Sequence, residues 1–341
     1  MNRKEDQSPS LFSELNDQPK ERQKGKTSEH LVRLDLHGEI RDKIIPYCRL
    51  KYGDIWEDPV KGHRVGVLDA TKSEDLYKIT GYEKAKLIIN DPPYNVKVGN
   101  ANTSSLFKID VDDYIDFSTK WVQNAIDVML KDSHLYIWLG ADYKDNFQPL
   151  PDFMIMMRKF NNLTPRNFIT LRNQRGYGTQ KNWMWIRQEL LYYVKGKPEF
   201  NVVYTDIPKV LKGYYKTVDG KVMENIERSR SNTIRPANVW IDIQQVFYRL
   251  EENVSGCYAQ KPIKAIDRLI QTSSEEDDIV LDFFSHSGTT LIVAEMLNRR
   301  ALTFDIDPIF SEITIRRLEN FRKTGKTGWQ WGNPFPELEE A

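Results

Sequence analysis

Apolar positions along the chain fall into short blocks of two kinds, and the two kinds alternate. Residues 63–70 and 86–91 are brief, β-branched, nearly continuous apolar runs, the pattern of strands buried on both faces. The second run stops at Asp91 because Pro92 and Pro93 cannot continue a ladder. Residues 73–76 open a short helix, and 113–131 carry apolar side chains at helical spacing, predicting an amphipathic crossover helix. A strand is predicted at 133–141, a helix at 151–160, a strand at 167–173 and, after a Gly-rich break, another at 189–196. Across 200–240 the rhythm is lost. It resumes with strands at 277–284 and 301–307 and helices at 289–300 and 310–323. This alternation predicts an α/β, doubly wound, mostly parallel sheet covered by helices on both faces.

Composition narrows the class. The chain has 341 residues, enough for one large domain with a smaller insertion, and its 29 % charged and 40 % hydrophobic residues suit a packed globule. Its two cysteines, Cys48 and Cys257, make neither a disulfide framework nor a zinc site of ordinary spacing, so a reducing, cytoplasmic setting is expected. No apolar run reaches the roughly 18 residues of a bilayer span and no signal-peptide pattern opens the chain, so no membrane partner is expected. The polar stretch to about residue 29 reads as an arm.

Net charge is zero, but its distribution is not even. Residues 156–236 hold 16 Lys and Arg against 6 Asp and Glu, a balance of +10, so the remainder carries −10. A basic segment in an acidic frame attracts polyanions although the whole molecule is neutral.

Two stretches carry candidate chemistry. The first, 279–297, is a strand, a loop of small residues and a helix, a geometry that turns backbone N–H groups toward a polar ligand. Asp305 ends the next strand, 23 residues after Asp282, where a doubly wound fold binds a ribose diol. Ser285-His286-Ser287-Gly288 lacks the spaced glycines of a dinucleotide site, and no GKS or GKT phosphate loop occurs. A nucleoside without a bridging phosphate, such as S-adenosylmethionine, suits this loop better. The second stretch is Asn90-Asp91-Pro92-Pro93-Tyr94-Asn95 at a buried strand end. The Asp91 carboxylate and the Pro92 carbonyl form a rigid pair of acceptors for an –NH2 group, and Tyr94 offers a face for a base to stack on. Holding a neutral amine beside a sulfonium methyl is what methyl transfer requires.

In order and spacing, four blocks resemble the beta-class S-adenosylmethionine-dependent DNA amino-methyltransferases, whose catalytic motif precedes the cofactor motif in a circularly permuted order. They are VLDATKSEDLYKI before LIINDPPYN; GYGTQKN before QELLYYVKG; AQKPIKAIDRLIQTSS before DDIVLDFFSHSGTT; and RRALTFDIDPIFSEITIRRL, together spanning about 64–323. The resemblance implies a seven-stranded Rossmann-like methyltransferase sheet with a small target-recognition insertion. Residues 1–30 would be an arm, 31–199 the catalytic half, 200–240 the target-recognition region and 241–341 the cofactor-binding half. It also implies that Asp91, Pro92, Pro93 and Tyr94 hold the target amine and base. Asp282, Phe284, Ser285, His286, Ser287, Gly288, Thr289 and Thr290 would form the cofactor loop. Asp305 would bind the cofactor ribose, Asp69 its adenine, and Gln260 with Lys261 its methionine carboxylate.

Three departures stand out. Phe283 and His286 replace the family's usual Pro and Gly, and Cys257-Tyr258-Ala259 replaces its usual His-Pro-Thr. If that Gly takes a positive φ in relatives, His286 must tolerate it at some cost.

A base stacked in a duplex cannot reach such a pocket, so the target must flip out of double-stranded DNA. Arg172, Arg175, Lys181, Arg228, Arg230 and Arg235 are the candidate phosphate and base contacts. In the resembling family Asp before Pro-Pro goes mainly with adenine N6, so the expected activity is adenine-specific DNA methylation in a restriction–modification setting. Cytosine N4, RNA, or a catalytically silent nucleic-acid-binding subunit are the alternatives. A homodimer and a cognate restriction endonuclease are the partners that the resemblance implies.

Overall fold

A computed structural model describes residues 34, 38–93, 111–140, 147–177, 181, 183–209, 215–224, 231–247, 249–258 and 260–338. The expected polar arm, Tyr94, Arg228, Arg230, Ala259 and the side chain of Arg175 lie outside the described residues.

The centre is a sheet of β1 (Ile55–Glu57), β2 (Arg64–Val67), β3 (Ala85–Asn90), β4 (Met129–Trp138), β5 (Thr164–Tyr177), β6 (Trp185–Lys195), β9 (Val239–Trp240), β10 (Ile279–Asp282) and β11 (Arg300–Asp305). Its order is β1-β2-β11-β10-β3-β4-β6-β5-β9. The five strands from β2 to β4 run parallel, and β6 turns antiparallel against β4. The seven strands from β2 to β5 match the expected sheet; β1 and β9, of three and two residues, extend its edges. A separate hairpin of β7 (Tyr215–Val218) and β8 (Lys221–Glu224) lies within 200–240.

Both faces of the parallel strands are covered. In β3, Ile88 packs beneath α2 (Ser73–Thr80), α3 (Val111–Val128) and α4 (Leu150–Met157), whereas Leu87 and Ile89 face α5 (Ile263–Ser273) and α6 (Thr289–Met296). Alternate residues thus enter opposite cores, which is why these strands read as unbroken apolar runs. A smaller cluster joins α1 (Gly38–Ile44) and the C-terminal segment to α7 (Pro308–Thr324) through Ile44, Phe310, Ile313 and Phe335. Helix α7 starts where Asp307 accepts from the Ile309 N–H and Pro308 fills the first turn, and it ends at left-handed Gly325.

Three expectations shift. The helix expected over 289–300 ends at Met296, and Arg300 already belongs to β11. Residues 129–131 have helical spacing but open β4, because Met129 pairs with Ala85. The Gly-rich break after 173 is instead the end of a long hairpin, in which β5 has 14 residues and β6 has 11.

Candidate active site

Four neighbouring parallel strands each deliver one carboxylate to the same edge of the sheet. Asp282 and Asp305 are the last residues of β10 and β11, Asp91 follows β3, and Asp69 lies two residues beyond β2. The register aligns these ends, with Leu281 beside Ile88, Asp282 beside Thr303 and Asp305 beside Val67. This is the carboxyl edge, where open parallel sheets place their ligands.

Asp282 gives the loop its shape. One oxygen accepts from the Phe284 N–H at 3.0 Å and the other from the Thr290 hydroxyl at 2.6 Å, so the carboxylate clasps both ends of the turn. Gly288 adopts φ +73°, and a Cβ there would lie 3.0 Å from the Thr314 Cα of α7. From below, wholly buried Arg317 donates to the Ser287 carbonyl at 2.7 Å and the Thr289 hydroxyl at 3.0 Å. His286 does take the left-handed conformation, at φ +43°. Its N–H donates to Asp305 at 3.1 Å and its ring packs 4.6 Å from that of Phe310. Phe283, the other departure, is buried against Phe304, and its N–H donates to the Asn90 side chain at 3.0 Å. A proline could not make that bond, which ties the loop to β3.

The cleft above this loop is open to solvent and is lined by Asp91, Trp138, Lys261, Asp282 and residues 284–287, among others. Lys261 reaches across it to donate to Asp91 Oδ2, with its ammonium 5.3 Å from the centroid of the Trp138 ring. Asp91 Oδ1 and Ser285 Oγ are buried with no protein partner. Burial raises the pKa of Asp91 and the Lys261 ammonium opposes the rise. Burial pushes Asp282 up to about 7, with the Asp91 charge adding to it. Asp305 is also pushed up to about 7, by burial first and then by Asp307. Carboxylates that resist ionising while buried form a site for positive charge.

The structure thus brings Asp91, Lys261, Asp282, Phe284, Ser285, His286, Ser287, Thr289 and Thr290 around one cleft. Asp305 and Gly288 stand behind the loop, holding it. Asp69 sits at the same edge, where one oxygen accepts from the N–H and hydroxyl of Thr71 in a local turn. Gln260 does not line the cleft: its amide accepts from the Val254 N–H at 3.0 Å and donates to the Glu252 carbonyl at 2.7 Å, bracing a neighbouring turn. Lys261, expected beside a cofactor carboxylate, has Asp91 as its anionic partner. Sequence reasoning missed Trp138 and Arg317, since an apolar strand end and a mid-helix arginine give no local sign of a site.

Of the basic candidates, Arg172, Lys181 and Arg235 are exposed. Arg172 lies opposite Arg187 on the β5–β6 hairpin. Strand β4 ends at Trp138 opposite Leu190, so β6 residues before 190 overhang the carboxyl edge on the side of Asp91. Trp183, near the end of this overhang, is 89 % exposed. Among the described residues no cluster of His, Cys, Asp and Glu could hold a metal, and no helix is long and apolar enough to cross a membrane.

A doubly wound sheet with an acidic cleft at its carboxyl edge, beside a strand followed by Asp-Pro-Pro, is the class I methyltransferase fold. Residues 85–316 match the model of the DNA methylase family N6_N4_Mtase, and the chain belongs to that family. It is a DNA methyltransferase that uses S-adenosylmethionine. The type II methyltransferase M.HpaI of Haemophilus parainfluenzae is 29 % identical over 234 residues, 69 % of this chain and 68 % of that one. M.BamHI of Bacillus amyloliquefaciens is 29 % identical over 256 residues, 74 % of this chain but only 56 % of its own length. In fold, the chain is similar to the cytosine-N4-specific PvuII DNA methyltransferase, with a TM-score of 0.54 at 14 % identity, covering 78 % of this chain and 89 % of that one.

The residues present fit the cofactor. S-adenosylmethionine carries a sulfonium, an ammonium and one carboxylate. The cleft offers the buried carboxylate of Asp282 for positive charge and the unpartnered Ser285 hydroxyl as a polar contact.

Proposed function

We propose that the protein methylates adenine N6 in double-stranded DNA, with Asp91 as acceptor for the target amine. The observation that carries this reading is Asp91 Oδ1, a buried carboxylate oxygen without a protein partner, at the end of β3 and within the cleft formed by the 284–290 loop. Bound S-adenosylmethionine supplies an electrophilic methyl on sulfur. Asp91 Oδ1 accepts one amine hydrogen and the Pro92 carbonyl the other, which aims the nitrogen lone pair away from both acceptors and toward the cleft. Asp91 also stands ready to accept the proton that the methylated nitrogen must shed. Tyr94 stacks on the extruded base. The carboxylates of Asp282 and Asp305 hold the loop and favour a cation above it.

Asp at position 91, where the cytosine-N4 enzymes of the resembling family commonly have Ser, supports adenine as the base. The overhanging hairpin with Arg172 and Lys181, together with residues 200–240, serves as the duplex-reading part. Its charge and its position on the side of Asp91 support that role.

Labelled S-adenosylmethionine and mixed-sequence DNA, followed by nucleoside analysis, test the reading. N6-methyladenine is expected; N4-methylcytosine would reassign the base. Absence of label, from a folded protein that binds cofactor, would refute catalysis. Asp91→Ala should abolish transfer while cofactor binding changes by less than about threefold, as expected for a group that touches the target alone.

A further inference from the structure

We infer that Lys261 is a positioning residue for Asp91: it pins one carboxylate oxygen so that the other is left for the target amine. This rests on the proposed role of Asp91.

The lysine is itself held at both ends. Its side chain is 8 % exposed, its backbone carbonyl accepts from the Thr289 hydroxyl at 3.2 Å, and its ammonium lies between Asp91 Oδ2 and the Trp138 ring. Trp138 closes the β4 side of the cleft and is 1 % exposed. Asp91 can therefore turn little, and the oxygen opposite the lysine is the one without a partner.

Charge gives the pair a second consequence. A carboxyl buried without a cation takes up a proton and then presents an O–H, which repels an amine hydrogen instead of accepting it. Among the described residues that line the cleft with Asp91, the ionisable groups are Lys261 from the segment before α5, Asp282 from β10 and His286 from the loop. Burial opposes ionisation of Asp91, and Lys261 is the cationic side chain that favours it. The resemblance assigns this lysine to the cofactor's carboxylate, whereas the geometry gives it to the amine acceptor. These assignments predict different outcomes.

Lys261→Met, Lys261→Gln and Lys261→Arg separate them, with thermal unfolding to check that each folds. In the cofactor-free protein, carboxyl-13C aspartate NMR follows the ionisation of Asp91, its resonance identified by its loss in Asp91→Asn. Calorimetry measures S-adenosylhomocysteine affinity, and single-turnover transfer is followed across pH. In the Met and Gln variants the Asp91 titration should move up by about one pH unit or more. Transfer at neutral pH should fall by about 100-fold and recover partly as pH rises, while affinity changes by less than about threefold. Arg, which keeps the charge, should restore the titration and much of the rate. An unmoved Asp91 titration in both neutral variants, or an affinity loss of about tenfold or more, would overturn the inference. Wild-type transfer by Asp91→Asn would instead remove the reading of Asp91 on which it rests.

Discussion

Gly288→Ala tests whether the cofactor loop is shaped by its packing on α7. Two costs add there. The backbone is at φ +73°, where an L side chain is strained by about 1 kcal/mol. The new methyl would also sit 2.9 Å from Thr314 Oγ1, 3.0 Å from its Cγ2 and 3.0 Å from its Cα. The Cα cannot swing away as a side-chain end could, so the loop must lift from the helix. Overpacking of this kind costs roughly 1–3 kcal/mol, which brings the total to about 2–4 kcal/mol. Gly325→Ala is the matched control. It has φ +74° at the end of the same helix, and its Cβ would meet nothing within 4 Å, so only the backbone strain of about 1 kcal/mol applies. Urea unfolding measures both, and calorimetry with S-adenosylhomocysteine measures the loop. Gly288→Ala should lose about 1–3 kcal/mol more than the control and weaken binding by about tenfold or more. Equal stability losses with unchanged affinity would refute the packing argument.

Two further outcomes follow from charge. Asp282 and Asp305 have pKa values raised to about 7 by burial, so the folded protein holds their protons more tightly than the unfolded chain. Their contribution favours folding at low pH and is lost as pH rises through about 7. His63 and His134 have lowered values and act below about pH 6.5, so from there to about 8 the decline belongs to the carboxyls that burial raises, Asp91 and Glu252 as well as Asp282 and Asp305. Urea unfolding of the cofactor-free protein should show a decline on the order of 1–2 kcal/mol across that range; a flat or rising profile would contradict it. In DNA binding, replacing Arg172, Lys181 and Arg235 together by Gln should lower the slope of log affinity against log salt by about 0.9 for each phosphate that is no longer neutralised. An unchanged slope would exclude this surface from the duplex interface.

Much of this was legible because the parallel strands answer to one rule. Ile88, Leu87 and Ile89 are all apolar because both faces of β3 are buried, and that leaves an unambiguous run ended by two prolines. Helix α7 announces itself at Asp307-Pro308 and at Gly325. The long hairpin was harder to read, since Gly176 looks like punctuation until the pairing of β5 with β6 is seen. The Phe283 departure is visible in the sequence, but its consequence, an N–H given to Asn90, is not. Interactions between distant segments leave no periodic trace. Lys261 and Asp91 are 170 residues apart, and neither neighbourhood names the other.

The place of β11 bears on how the molecule comes into being. It lies between β2 and β10, so the sheet is joined across its middle by one of the last strands to be synthesised. His63 accepts from the Ala301 N–H across 238 residues of chain, a closure whose loop entropy must be met before much of the parallel sheet can form. A growing polypeptide would therefore carry its overhanging hairpin well before it had a methyl-donor cleft. The loop gains its Asp305 support only once β11 has docked, so chains released before that strand is made are expected to be inert.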